Sequence, residues 1–306
     1  MSSQPLLRPL PRILVWGELL WDRFPDGDQL GGAPTNVAFH LGQLAGVLPL
    51  SAALITRVGA DAAGARAREI LDGELERQLL LDTSLIQVDP DRATGEVLVT
   101  LAGGEPRYHL VPDRAWEHIE VTPAVLAATS TASALVYGPL SQRAPAGLAS
   151  FRALLEATPR TCLRVCDPNL RPGTLDLPAL TAALDAADVV KLGEQELRTC
   201  NEALGDAHVL ATLRARCRLV AITRGTAGST LYAGDEVLDV AASPARPGGD
   251  NVGCGDAYVA ALTAGVVLGW PLARTGVVAS RLAAFVAGAR GATPTLAPAD
   301  LTAILA

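Results

Sequence analysis

The sequence predicts an α/β fold built on a mostly parallel sheet, with a small β-sheet inserted into it. Short apolar runs rich in β-branched residues alternate with Ala/Leu-rich stretches, first at Ile13–Trp16 and Thr35–Leu44 and again from Ala134 onward. This is the rhythm of βαβ units. From Ile86 to Val111 the residues alternate with no helical stretch between them, the mark of strands joined by turns. The chain has 306 residues, 49% hydrophobic and 19% charged, which suffices for a large core and excludes a disordered or collagen-like polymer.

In chain order, the strand Ile13–Trp16 is followed by Asp22, then by small residues at Gly31–Pro34 that open the helix Thr35–Leu44. Ala52–Thr56 reads as a strand and Ala62–Leu71 as a helix. Gly103-Gly104 separates Glu96–Leu101 from Arg107–Val111 as a hairpin. A lone hairpin is marginal, so it requires more strands, and Trp21–Phe24 is the candidate partner. Leu163–Asp167, Val189–Leu192 and Leu219–Thr223 are buried strands, with Leu177–Ala187 and Gln195–Leu213 as helical cover. The last third reads as the helices Asp256–Leu268, Arg274–Gly288 and Pro298–Leu305.

Net charge is −7 and no Lys/Arg cluster forms a stripe along a phosphate backbone, so no nucleic-acid partner is expected. Apolar stretches such as Ala257–Val267 are too short to span a bilayer, and Met1–Pro11 lacks a charged start followed by an apolar run. No membrane partner and a cytoplasmic location are expected. Five cysteines without a C-x-x-C pair suit a reducing compartment, and four scattered histidines offer no zinc spacing. Lys191 is the only lysine and follows Val190, which excludes a Walker A loop. No G-x-S-x-G or H-E-x-x-H is present.

The segment Asp250–Asp256, DNVGCGD, runs directly into the helical stretch from Ala257. Its glycines therefore sit at a helix amino terminus, where unpaired N–H groups form a concavity for an anion such as a nucleotide phosphate. A carboxylate beside that concavity, Asp256, is placed to accept a hydroxyl proton during phosphoryl transfer. Taken alone, such a stretch is more readily an ordinary helix cap. Gly31–Asn36 repeats the pattern of small residues before a helix, and Asp22 follows the first strand, at the end where open α/β sheets bind ligands.

These residues resemble the ribokinase-like (PfkB) family of carbohydrate kinases, and more narrowly its bacterial fructokinase branch. The resemblance runs from GELLWDRFPDGDQLGGAPTNVAFHLG (Gly17–Gly42) through AWEHI (Ala115–Ile119), GPLSQR (Gly138–Arg143), CDPNLRP (Cys166–Pro172), KLGEQEL (Lys191–Leu197) and TRGTAGS (Thr223–Ser229) to DNVGCGDAYVAAL (Asp250–Leu262) and GARGATP (Gly288–Pro294). It implies a three-layer α/β/α core (residues 11–18, 34–85 and 119–306) with a discontinuous β lid (19–33 and 86–118). By the same resemblance, Asp256 is the catalytic base, Gly253, Cys254 and Gly255 form the anion hole, and Arg171 stabilises transferring charge. Asp22, Gly31, Gly32 and Asn36 bind the sugar. Lys191, Glu196, Thr223, Gly225 and Gly228 serve the nucleotide. Asp250, with the backbone of Val252 and Gly291, is the place for a monovalent cation such as K+. Three positions depart from the family pattern: Gly193 where Asn is usual, Asn251 for Thr, and Cys254 for Ala. At a helix amino terminus the Cys254 thiol is expected to have a depressed pKa.

The resemblance implies ATP and Mg2+ as cofactors and transfer to a primary hydroxyl, with fructose giving fructose 6-phosphate. Alternative acceptors are 2-keto-3-deoxygluconate, ribose or a nucleoside, and a non-enzymatic alternative is a sugar or nucleotide sensor. Exposed lid strands offer a surface that a second copy of the chain would cover as a homodimer.

Overall fold

The computed structural model describes residues 9–24, 27–73, 79–102, 105–171 and 173–306. The chain opens with β1 (Arg12–Trp16), β2 (Leu20–Phe24), β3 (Gly27–Gly31) and α1 (Ala33–Ala45). It continues through β4 (Ser51–Gly59), α2 (Ala62–Asp72), β5 (Leu81–Asp82), β6 (Ile86–Asp89), β7 (Gly95–Ala102) and β8 (Glu105–Leu110). The middle holds α3 (Pro123–Thr129), β9 (Ala134–Tyr137), α4 (Pro145–Ala157), β10 (Leu163–Cys166), α5 (Leu177–Asp185) and β11 (Val189–Gly193). Then follow α6 (Glu194–Leu204), α7 (Val209–Arg216), β12 (Leu219–Thr223), β13 (Ser229–Ala233) and β14 (Glu236–Val240). Three helices end the chain: α8 (Cys254–Val267), α9 (Leu272–Ala287) and α10 (Pro298–Leu305).

The large sheet runs β14-β13-β12-β11-β10-β9-β1-β4-β5, with β6 also on β4. It is parallel from β12 to β5 and antiparallel at β13 and β14. Strict alternation buries both faces. In β1, Ile13 and Val15 join one hydrophobic cluster with residues of α1, α8 and α9, whereas Leu14 and Trp16 join the other, beneath α4, α5 and α7. This is the expected three-layer core, and among the described residues no helix is long and apolar enough to cross a membrane.

The small sheet has the order β3-β2-β7-β8, so the expected partnership of the hairpin with the Trp21–Phe24 strand is present, through parallel pairing of β2 with β7. The turn Gly103-Gly104 lies outside the described residues. Two expectations need correction. Ile86–Asp89 pairs with β4 of the large sheet, so the small sheet resumes only at Gly95, not at residue 86. The stretch Gln195–Leu213 is two helices, because Gly205 (φ 62°) closes α6 with a left-handed cap.

Candidate active site

The carboxyl ends of β1, β10 and β11 and the amino ends of α1 and α8 converge below the small sheet. Gly253, with φ 75°, makes the turn into α8, and a Cβ there would lie 2.6 Å from the Cα of Ala292. Cys254, Gly255 and Asp256 form the first helical turn, whose N–H groups have no partner within the helix. Asp256 is 4% exposed. Its carboxylate is fixed from two sides, by Asn36 Nδ2 at 2.7 Å and Asn169 Nδ2 at 3.1 Å. Burial raises its pKa, while the Asn36 hydrogen bond and the charges of Lys191 and Arg171 pull the other way. A desolvated, oriented carboxylate of raised basicity at a helix mouth is suited to take a proton from a hydroxyl.

Lys191 supplies the cation beneath this mouth. It is buried, its Nζ lies 3.3 Å from Asp167 Oδ1 and 3.6 Å from Glu196 Oε2, and a Cβ on Gly255 would sit 3.3 Å from it. Burial opposes its charge, but the carboxylates of Asp167, Glu196 and Asp256 outweigh that and keep it protonated. Burial likewise raises Asp167, with Lys191 acting against it. Glu196 accepts the N–H of Gly193 at 2.6 Å and that of Leu170 at 2.9 Å, and so ties the start of α6 to the loop after β10. Gly193, where Asn was expected by resemblance, is thus the N-cap held by Glu196. Arg171 is exposed, and its charge opposes the upward shifts of both Asp22 and Asp256.

On the small-sheet side, Asp22 projects from β2 toward β3. A Cβ on Gly31 would meet its Oδ2 at 2.5 Å, so only glycine leaves room for this carboxylate. Burial raises Asp22 to about 6 and Arg171 opposes the shift. Gly32 precedes α1 with φ 102°, and its missing side chain admits the carbonyl of Glu18, 2.3 Å from where a Cβ would be.

Over residues 27–299 the chain matches the pfkB family carbohydrate kinase. It belongs to that family. Among curated pfkB-type relatives, a fructokinase of Klebsiella pneumoniae is 30% identical, the match covering 83% of this chain and 84% of that one. A crystal structure of a sugar kinase from Pyrococcus horikoshii, 26% identical, superposes with a TM-score of 0.81 over 96% of this chain and 100% of that one. A fructokinase from Xylella fastidiosa shares the fold at 20% identity, with a TM-score of 0.83 over 96% of this chain and 97% of that one.

Within this pfkB chain, not every expected site residue joins the cluster around Asp256. Thr223, Gly225 and Gly228 form a turn at the end of β12, beside Gly193 on β11, where Thr223 Oγ1 donates to the Leu192 carbonyl at 3.4 Å. Both oxygens of Asp250 accept amides, from Val252 at 3.0 Å and Gly291 at 2.8 Å. Among the described residues no group of three or more His, Cys, Asp or Glu side chains gathers as a metal site. The expected depression of the Cys254 thiol is reversed: burial, reinforced by Asp256, raises it, against Lys191 and the helix amides.

Sequence reasoning missed Glu18. It is 5% exposed and lines a cavity of about 20 Å³ with Tyr137, Asp167 and Asn169, room for about one water. Burial pushes its pKa up to about 8, with Asp256 adding to the shift and backbone amides and Arg143 opposing it. The signal available was the Gly17-Glu18 pair directly after the first strand, an acidic residue entering the core.

Proposed function

We propose that this kinase transfers the γ-phosphoryl group of ATP to the primary hydroxyl of a sugar, with fructose giving fructose 6-phosphate. The observation that carries the reading is Asp256, buried at the mouth of α8 and held by two side-chain amides with Lys191 behind it. The fructokinase-like motifs of the sequence and the similarity to the Klebsiella fructokinase support the acceptor. A complex of the Pyrococcus sugar kinase with ATP supports the donor.

In this reading the sugar lies below the small sheet against Asp22, Gly31, Gly32 and Asn36. Asp256 accepts the proton of the attacking hydroxyl. The first-turn N–H groups at Gly253, Cys254 and Gly255 and the Lys191 ammonium face the phosphoryl oxygens, and Arg171 approaches from the solvent side. With no acidic cage among the described residues, a divalent ion such as Mg2+ would arrive with the nucleotide phosphates and, when bound, offset their charge. Closing the small sheet over the acceptor excludes water and suppresses ATP hydrolysis. We place the activity in the cytoplasm, in keeping with five free cysteines. The small sheet is the surface we assign to a homodimer.

The deciding experiment is an ADP-release assay of the purified protein against ketohexoses, aldoses, keto-acids and nucleosides, with and without K+. Sugar-dependent ADP release, greatest with fructose, is expected. A preference for another acceptor class replaces fructose, and no release with any acceptor overturns the kinase reading.

A further inference from the structure

Along with Asn36, assigned above to the sugar, α1 carries the further polar side chains His40 and Gln43 deep in the core. Asn36, His40 and Gln43 fall on one helical face, spaced four and three residues apart. Asn36 holds Asp256. His40, fully buried, places its Nε2 2.9 Å from the carbonyl of Ala292. Gln43 donates to the Pro294 carbonyl at 3.2 Å and accepts from the Leu296 amide at 2.7 Å. All three partners of His40 and Gln43 lie in the segment after α9, and that segment forms one wall of the anion hole: Ala292 abuts Gly253 so closely that a Cβ on Gly253 would be 2.6 Å from its Cβ. The neighbouring Gly291 amide is bound to Asp250.

We propose that this face of α1 is a strut fixing the wall of the phosphate-binding helix mouth, with His40 as a positioning residue that acts through the Ala292 carbonyl. The inference rests on the kinase reading above, since the mouth is taken to hold phosphate. Burial keeps the imidazole neutral, with its pKa near 4, so a carbonyl acceptor assigns the ring proton to Nε2. Nδ1 is then buried without a hydrogen-bond partner among the described residues. An orphaned ring nitrogen is unfavourable in a core, and packing alone would be served better by an apolar ring. What His40 adds over such a ring is the donor toward Ala292. Through Asn36 at one end and His40 and Gln43 at the other, a single rigid helix ties the base and the anion hole to each other.

The test uses the full chain with His40→Phe, which keeps a ring but loses the donor, and His40→Gln, whose amide nitrogen reproduces the Nε2 donor. Affinity for a non-hydrolysable ATP analogue is read by calorimetry without sugar, alongside kcat and acceptor KM. In His40→Phe the analogue binds roughly 5- to 10-fold more weakly and kcat falls at least as much, the scale of one lost hydrogen bond. Acceptor KM stays within about twofold, and His40→Gln recovers most of the loss. Gln43→Leu, a second cut at the same segment, weakens the analogue in the same direction and covers the case of an unstable His40→Phe. Unchanged analogue affinity in the folded variants, or equal behaviour of the Phe and Gln variants, overturns the strut. Absence of sugar-dependent turnover in the parent protein overturns the kinase reading instead, while the analogue titrations still judge the strut.

Discussion

In the large sheet, strands from β1 to β12 bury both faces against helices, and the charged groups at its carboxyl edge are interlocked: Lys191 with Asp167 and Glu196, Asp256 with Asn36 and Asn169. The small sheet, among the described residues, has a cluster centred on only two buried side chains, Leu20 and Val97. Its ion pairs, Arg23 with Asp28 and Glu96 and Arg114 with Glu96, are partly exposed, and such pairs contribute about 1 kcal/mol or less each. Its one carboxylate at the cleft, Asp22, has no hydrogen bond or ion pair among the described residues. The core side is therefore organised before any ligand arrives, whereas the small-sheet side keeps its polar group uncommitted. Motion on ligand binding belongs to the side with fewer buried contacts.

If that division holds, the largest effect belongs to the core. Asp256→Asn lowers kcat at least ~100-fold, the low end for a positioned base, while ATP-analogue affinity by calorimetry stays near normal. Asp22→Asn comes next, with acceptor KM raised ~10-fold and kcat changed far less. In the parent protein, acceptor KM climbs as pH falls below about 6, where Asp22, raised by burial, takes up a proton; the variant lacks this limb. Loss of kcat without a change in KM would erase the distinction between the two sides.

A smaller effect is expected at Glu18. Its carboxyl holds a proton to about pH 8 in the fold, against about 4.5 otherwise, so its stabilising contribution is complete below 4.5 and is lost as pH rises toward 8. Glu18→Gln removes that loss and raises Tm by a few degrees, on the order of 3 °C, at pH 8.5, with no gain near pH 5. Cys254→Ala should do least, leaving kcat within about twofold, because in the proposed mechanism backbone N–H groups rather than the thiol face the phosphoryl oxygens. With its pKa raised, Cys254 reacts with a thiol reagent more slowly than an ordinary exposed cysteine, measured by mass shift over time.

The strands of the large sheet were legible because burial of both faces leaves continuous apolar runs, and α8 was legible because DNVGCGD marks its start. The break at Gly205 was hidden because helix-compatible residues lie on both sides, and a single glycine within such a stretch is tolerated in a helix. Alternation in Ile86–Asp89 identifies a strand but not the sheet it joins, which depends on β4, far from it in the chain. The same limit applies within the site. Asp256, Lys191 and Asp22 stand in recognisable local patterns, whereas the roles of Glu18 and His40 come from burial and from a partner 252 residues away in the case of His40. The direction of the Cys254 shift was not legible because burial and the Asp256 charge, which outweigh Lys191 and the helix amides, depend on the packed fold and not on the local motif.

The parallel pairing of β2 with β7 has a consequence for how the chain assembles. Arg23 and Glu96 meet although 73 residues separate them, and the intervening β4, β5 and β6 all belong to the large sheet. Closing so long a loop gains little until those elements are docked. The small sheet is then the last part to form and the first to open, and native-state hydrogen exchange at the amides of β2 and β7 would record that order as protection below the global limit.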